Sequence, residues 1–109
     1  MVTVEDDVFI GPNVVFTDDP HPMNCPKYKE CKGGVTVKRF ARIGAHSTLL
    51  PGVVVGENTL IGAGSLVVHD VPPGTVAAGN PARVIKRIDD LACDPGFFER
   101  PYVWPPYSE

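Results

Sequence analysis

The chain has 109 residues, a formal net charge of −3 and a sequence pI near 5.5, which leaves room for one domain and sets it apart from nucleic-acid binders, whose surfaces carry a basic face. Twelve Pro and eleven Gly leave little room for helix. No apolar run approaches the roughly 20 residues of a membrane span, and the acidic start, Met1-Val-Thr-Val-Glu-Asp-Asp, lacks the regions of a secretory signal, so a soluble, cytoplasmic protein with no membrane or nucleic-acid partner is expected.

From the first residues the aliphatic positions recur in sixes. Val4, Ile10 and Phe16 share one phase, with Asp7 and Asn13 at the intervening corners, and the phase returns from Val37 to Pro72 in blocks headed by Val37, Ile43, Leu49, Val55, Ile61 and Val67. A period of six fits neither the 3.6 of a helix nor the alternation of an isolated strand; it is an internal repeat. The fourth place of the later blocks holds Phe40, His46, Gly52, Asn58, Gly64 and Asp70, four of which are Gly, Asn or Asp, types that tolerate positive φ or supply turn hydrogen bonds. The fifth place holds Ala41, Ser47, Val53, Thr59, Ser65 and Val71, all small or β-branched and suited to a tight inner angle. One short strand and one corner, three times over, closes a triangle, and stacked triangles pair their strands at about 4.8 Å. The prediction is a parallel β-helix with its aliphatic residues inside. Because the chain opens within the repeat, its first coil is expected to show unpaired strand edges and an uncovered core unless a partner or neighbouring subunit covers them.

Between Phe16 and Val37 the register breaks. Residues 18–34, from Asp18 to Gly34, contain Pro20, Pro22 and Pro26 and end in Gly33-Gly34, which predicts a loop thrown out from one corner of the prism. Loops on rigid scaffolds carry function, and this one gathers Asp18, Asp19, His21, Tyr28, Cys25 and Cys31. Three cysteines, with Cys93, cannot all pair within one chain; free thiols suit a cytoplasmic protein, a bridge or shared metal at Cys25 and Cys31 is the alternative, and their spacing is not that of a zinc knuckle. After the coils, Ala77-Ala-Gly-Asn-Pro-Ala-Arg is expected to complete a last partial coil, and Val84-Ile-Lys-Arg-Ile to form a short basic segment. Residues 1–88 are therefore read as the repeat domain with its insertion. Residues 89–109, rich in Pro and aromatic rings, are read as an irregular tail that packs, along a neighbouring subunit or as a disordered end.

The runs Ile43-Gly-Ala-His, Leu50-Pro-Gly-Val, Ile61-Gly-Ala-Gly-Ser, Asp70-Val-Pro-Pro and Gly79-Asn-Pro-Ala-Arg-Val-Ile resemble those of the hexapeptide-repeat acyltransferases. The resemblance covers most of residues 4–88 and implies an all-β fold, a left-handed parallel β-helix; the left hand comes from the family, against the usual right-handed crossover. It also implies a homotrimer that binds acetyl-CoA in the groove between adjacent prisms. Motif onto motif, Ala45 and Ala63 would line the pantetheine arm, Val68 and His69 would follow along it, and Arg83 and Lys86 would meet the nucleotide phosphates.

Phe16-Thr-Asp-Asp-Pro-His-Pro resembles the segment of galactoside and maltose acetyltransferases in which a His before Pro is the catalytic base, and equally the Phe-Thr-Asn-Asp segment of enzymes acting on nucleotide-linked amino sugars. His21, with an imidazole pKa near 6.5 in the absence of perturbation, is then the expected base, and Thr17, Asp18, Asp19 and Tyr28 the expected substrate contacts. Asp18 departs from the Asn of the second group. The expected activity is acetyl transfer from acetyl-CoA to the amine of an amino sugar; the alternatives are O-acetyl transfer of the galactoside or serine type, and a catalytically silent trimeric scaffold. The three His do not form the close pair of the γ-class carbonic anhydrases that share this fold, so no metal is expected.

Overall fold

The computed structural model describes residues 2–17 and 34–91. His21, Asp18, Asp19, Tyr28, the three cysteines and residues 92–109 of the tail lie outside the described residues.

Every inward position of the repeat is filled as the sixfold phase requires. Val37, Ile43, Leu49, Val55, Ile61 and Val67 are buried, and so are the fifth-place residues Ala41, Ser47, Val53, Thr59, Ser65 and Val71. Each fully buried aliphatic side chain contributes about 1.5–3 kcal/mol over leaving it in water, so this axial column is the main source of stability.

Short strands, two residues each except for the last two, stack on three faces. The first face holds β1 (Thr3–Val4), β4 (Thr36–Val37) and β7 (Val54–Val55). The second holds β2 (Phe9–Ile10), β5 (Arg42–Ile43), β8 (Leu60–Ile61), β10 (Thr75–Gly79) and β11 (Ala82–Arg87). The third holds β3 (Val15–Phe16), β6 (Thr48–Leu49) and β9 (Leu66–Val67). Pairing between coils is parallel on every face, with Thr36 opposite Val54, Arg42 opposite Leu60 and Thr48 opposite Leu66, a turn of eighteen residues. In the first coil Thr3 lies opposite Thr36; the insertion is accommodated between the third and first faces without disturbing the ladder on either side.

The corners turn through left-handed backbone. Five of the six fourth-place residues have positive φ: Phe40 (64°), His46 (61°), Gly52 (80°), Asn58 (52°) and Gly64 (72°); Asp7 (60°) and Asn13 (59°) do the same in the first coil. Phe40 is the unexpected member, since a bulky residue disfavours that region; the guanidinium of Arg39 lies 4.5 Å from the centroid of its ring. Asp70 departs from the expected corner. It takes no positive φ, its Oδ1 accepts the Val54 N–H at 2.8 Å, and Val71 bridges Val55, so the last corner between the third and first faces is cut short by two residues.

Two ends close differently. In the first coil the inward Val4 and Ile10 are 44 % and 38 % exposed, and β1, β2 and β3 are each paired on one side only, as the sequence led one to expect. At the other end the predicted partial coil is instead an antiparallel hairpin: β10 pairs β8 in parallel, then the chain turns at Asn80-Pro81, across a cis bond, and β11 returns along β10 with Arg83 opposite Ala78. A turn of 3-10 helix (Ile88–Asp90) follows, its buried Ile88 donating N–H to the Gly74 carbonyl at 2.8 Å.

Candidate functional site

The three edges of the prism differ in chemistry. The edge between the first and second faces is charged: Lys38 pairs with Glu5 at 3.7 Å and Arg39 with Asp7 at 3.4 Å. The edge between the second and third faces is built from the smallest residues, Gly44-Ala45 above Gly62-Ala63, and is called here the alanine edge. The edge between the third and first faces carries the 18–34 insertion and is called the loop edge.

Close stacking explains the glycines of the alanine edge. A Cβ on Gly44 would stand 2.6 Å from the Ala63 backbone nitrogen and 2.8 Å from the Ile61 carbonyl oxygen. One on Gly11 would stand 2.8 Å from the Ala45 nitrogen. The second-place N–H groups are used within the ladder, Gly44 to Ile61 and Gly62 to Ala77, and so are the fourth-place ones, His46 to Pro12 and Gly64 to Ala45. The third place is left over. The N–H groups of Ala45 and Ala63 have no hydrogen-bond partner among the described residues, and both lie where a methyl group is the whole side chain, Ala45 half-buried and Ala63 exposed. Two amide donors one coil apart, about 4.8 Å, thus lie free on an edge without bulky side chains, a spacing that can receive carbonyl oxygens of an extended chain.

Beneath those donors runs a line of hydroxyls. The Ser65 Oγ donates to the Gly62 carbonyl at 2.6 Å, the Ser47 Oγ donates to the same carbonyl at 3.2 Å, and the Gly79 N–H donates to the Ser65 Oγ at 3.2 Å. Ser65 thereby ties the hairpin turn to the alanine edge. Neither serine was singled out for function from the sequence; the signal available was that hydroxyls occupy the fifth place twice running on this edge.

At the loop edge the departure of the insertion is pinned. The N–H and the Oγ1 of Thr17 both donate to the Leu49 carbonyl, at 3.1 and 2.8 Å, so the hydroxyl proton is engaged internally. Val35, where the chain re-enters the ladder, is fully buried and accepts the Thr3 N–H at 2.8 Å. Val68 and His69 sit on this same edge in a later coil, Val68 half-buried and His69 exposed.

The residues expected to hold a cofactor therefore divide. Ala45 and Ala63 share the alanine edge, and Arg83 stands at its lower end, opposite Ala78, whose Cβ is 2.9 Å from where a Cβ on Gly62 would be. Lys86, opposite Val76, is farther along the second face. Val68 and His69 belong to the loop edge, across the width of the third face. One copy of the chain does not bring the two groups together. Arg83 and Lys86 are exposed. Among the described residues no group of three or more His, Cys, Asp or Glu side chains is placed to hold a metal ion, and no helix is long and apolar enough to cross a membrane.

Residues 34–69 match the bacterial transferase hexapeptide family (six repeats). The galactoside O-acetyltransferase of Escherichia coli (strain K12) is 42% identical over 95 residues, covering 82% of this chain and 45% of that protein. Among solved structures, a galactoside acetyltransferase in complex with coenzyme A superposes with a TM-score of 0.70 at 41% identity, covering 82% of this chain and 46% of that one. A maltose O-acetyltransferase from Clostridium difficile 630 superposes with a TM-score of 0.70 at 37% identity, covering 82% and 49%. The chain spans about half the length of the curated relatives it matches. These likenesses accord with the all-β, left-handed parallel β-helix expected from the repeat. By its repeat, its fold and these relatives, the chain belongs to the hexapeptide-repeat family.

Proposed function

We propose that the protein acts in acetyl transfer from acetyl-CoA to a sugar hydroxyl. The observation that carries this reading is the pair of unpartnered amide donors at Ala45 and Ala63, in a chain whose fold is shared with a galactoside acetyltransferase in complex with coenzyme A. The amide carbonyls of the pantetheine arm are the ligand groups those donors suit, and Arg83 at the end of the same edge suits the phosphates of the nucleotide part. An amine acceptor is the first expectation from the sequence. The hydroxyl is preferred because the relatives named above include O-acetyltransferases of galactoside and of maltose.

The division of the cofactor residues between two edges of one prism supports assembly as a homotrimer, in which the alanine edge of one copy meets the loop edge of the next. Such a groove would set Val68, His69 and the His21 segment beside a donor track supplied by the neighbour. His21 takes the proton as the acceptor oxygen attacks the thioester carbonyl; the tetrahedral oxyanion then collapses, the carbon–sulfur bond breaks and the thiol of coenzyme A leaves with the proton. Thr17, Asp18, Asp19 and Tyr28 are the proposed acceptor contacts, and a cytoplasmic location fits the supply of acetyl-CoA.

The test is acetyl-CoA turnover with a panel of galactosides, maltose, serine and amino sugars, comparing wild type with His21→Ala. Turnover confined to hydroxyl acceptors and reduced about a hundredfold or more by the substitution is expected, since general base catalysis contributes about 10²–10⁴-fold. Turnover of amino sugars alone would restore the amine reading. No turnover and no binding of coenzyme A at millimolar concentration would favour a silent scaffold.

A further inference from the structure

We propose that Ser65 is a positioning residue that sets Arg83 beside the donor track of the alanine edge, an inference that rests on the cofactor reading above. Two other fifth-place hydroxyls close only their own corner, Thr59 donating to the Gly56 carbonyl at 3.0 Å and Thr75 to that of Pro72 at 2.7 Å, and Ser47 only donates to the next coil, to the Gly62 carbonyl at 3.2 Å. Ser65 does the same with Gly62 and then accepts the N–H of Gly79, fourteen residues on. Gly79 is the last residue of β10, with a φ of 108°, immediately before the turn that feeds β11 and Arg83. The regular ladder has ended by this point, because β10 meets β8 only at Val76 and Ala77. Beyond Ala77 the Ser65 oxygen is thus the polar group of the coils that holds the strand end in place.

The hydroxyl is 1% exposed as a residue and uses both its donor and its acceptor capacity. Removing it leaves the Gly79 N–H without its partner and frees the turn to move relative to Ala63. On the loop edge Val53 takes the equivalent inner place and Val71 stands where the corner is cut short, and neither carries a hydroxyl. The set of bonds linking Ser47, Gly62, Ser65 and Gly79 lies along the alanine edge, where Ala45 and Ala63 stand.

The experiment compares wild type, Ser65→Ala, Ser47→Ala, Arg83→Ala and the Ser65→Ala/Arg83→Ala double variant, reading coenzyme A affinity by calorimetry and amide exchange at Gly79 by NMR. Expected results are faster Gly79 exchange in Ser65→Ala but not in Ser47→Ala, which removes the other hydroxyl on the same carbonyl without touching Gly79. A rise in Kd of about two- to twelvefold is expected for loss of one hydrogen bond's worth of positioning. The double variant should bind no worse than Arg83→Ala alone, because Ser65 acts through Arg83. Additive losses would overturn the role through Arg83, and unchanged Gly79 exchange in Ser65→Ala would overturn the clasp itself, whether or not coenzyme A binds. Absence of binding in wild type sinks the cofactor reading and with it the positioning role, while the exchange rates still decide the clasp.

Discussion

Replacing Ala63 with Pro removes one donor from the proposed track while asking little of the fold. The third place of the block already holds Pro at Pro12, Pro51 and Pro73, and Pro12 stands one coil above Ala45, behind Gly11 as Ala63 stands behind Gly62. A Pro ring fixes φ near −65° and deletes an N–H; at Ala63 that N–H bonds nothing among the described residues, so no rung of the ladder is lost. Stability is expected to stay within about 0.5 kcal/mol of wild type, as for surface changes that break no special feature. If the N–H receives a pantetheine carbonyl, binding loses about 0.5–1.5 kcal/mol, a rise in Kd of about two- to twelvefold. Ala45→Pro should do the same, and the two together should multiply. Calorimetric titration with coenzyme A beside thermal unfolding by circular dichroism reads both quantities. An unchanged Kd in Ala63→Pro at unchanged melting temperature would remove the Ala63 amide from the site and refute the reasoning.

Gly44→Ala forces a Cβ against Ala63 and Ile61 backbone and is expected to cost about 1–3 kcal/mol by overpacking. Gly62→Ala meets chiefly the Ala78 methyl at 2.9 Å and should cost less; equal melting temperatures for the two variants would contradict the stacking geometry. Leu49→Ala, at a fully buried inward place, is expected to lose about 2–5 kcal/mol in urea unfolding, whereas Phe9→Ala, 61% exposed on an outer face, should change stability by no more than about 0.5 kcal/mol. Arg39→Ala removes an exposed ion pair with Asp7 and the stacking on Phe40. A loss of about 0.5–1 kcal/mol that shrinks in high salt is expected, and a salt-independent loss would assign it to packing alone.

The repeat was legible because burial imposes a strict condition at every sixth residue. The first place of each block faces the axis and is fully or almost fully buried, so the phase is written in Val37, Ile43, Leu49, Val55, Ile61 and Val67. The fifth-place rule was legible for the same steric reason. Corners were legible by residue type where a permissive residue marked them, as Gly52, Asn58 and Gly64 do, while Phe40 adopts positive φ at the same place in the repeat without such a mark. Asp70 looked like a corner residue by type, yet it serves as an acceptor for the Val54 N–H, a role set by the coil above it. The final hairpin was missed because Ala77-Ala-Gly-Asn-Pro-Ala-Arg continues the small-residue texture of the coils, and the reversal at Asn80-Pro81 depends on β11 finding the free edge of β10. Candidate site residues were read as one set from their motifs, although residues one block apart, as Ala63 and His69 are, must lie on adjoining edges. The unpartnered third-place amides were not legible at all, since a backbone donor carries no residue type.

The most direct measurement is a crystal structure of the protein with coenzyme A. The pantetheine arm is expected along the alanine edge, its carbonyl oxygens within hydrogen-bonding distance of the Ala45 and Ala63 nitrogens, and its thiol directed toward His21 of an adjacent copy. Coenzyme A bound on any other surface, or with its thiol pointing away from every His21 in the assembly, would contradict it.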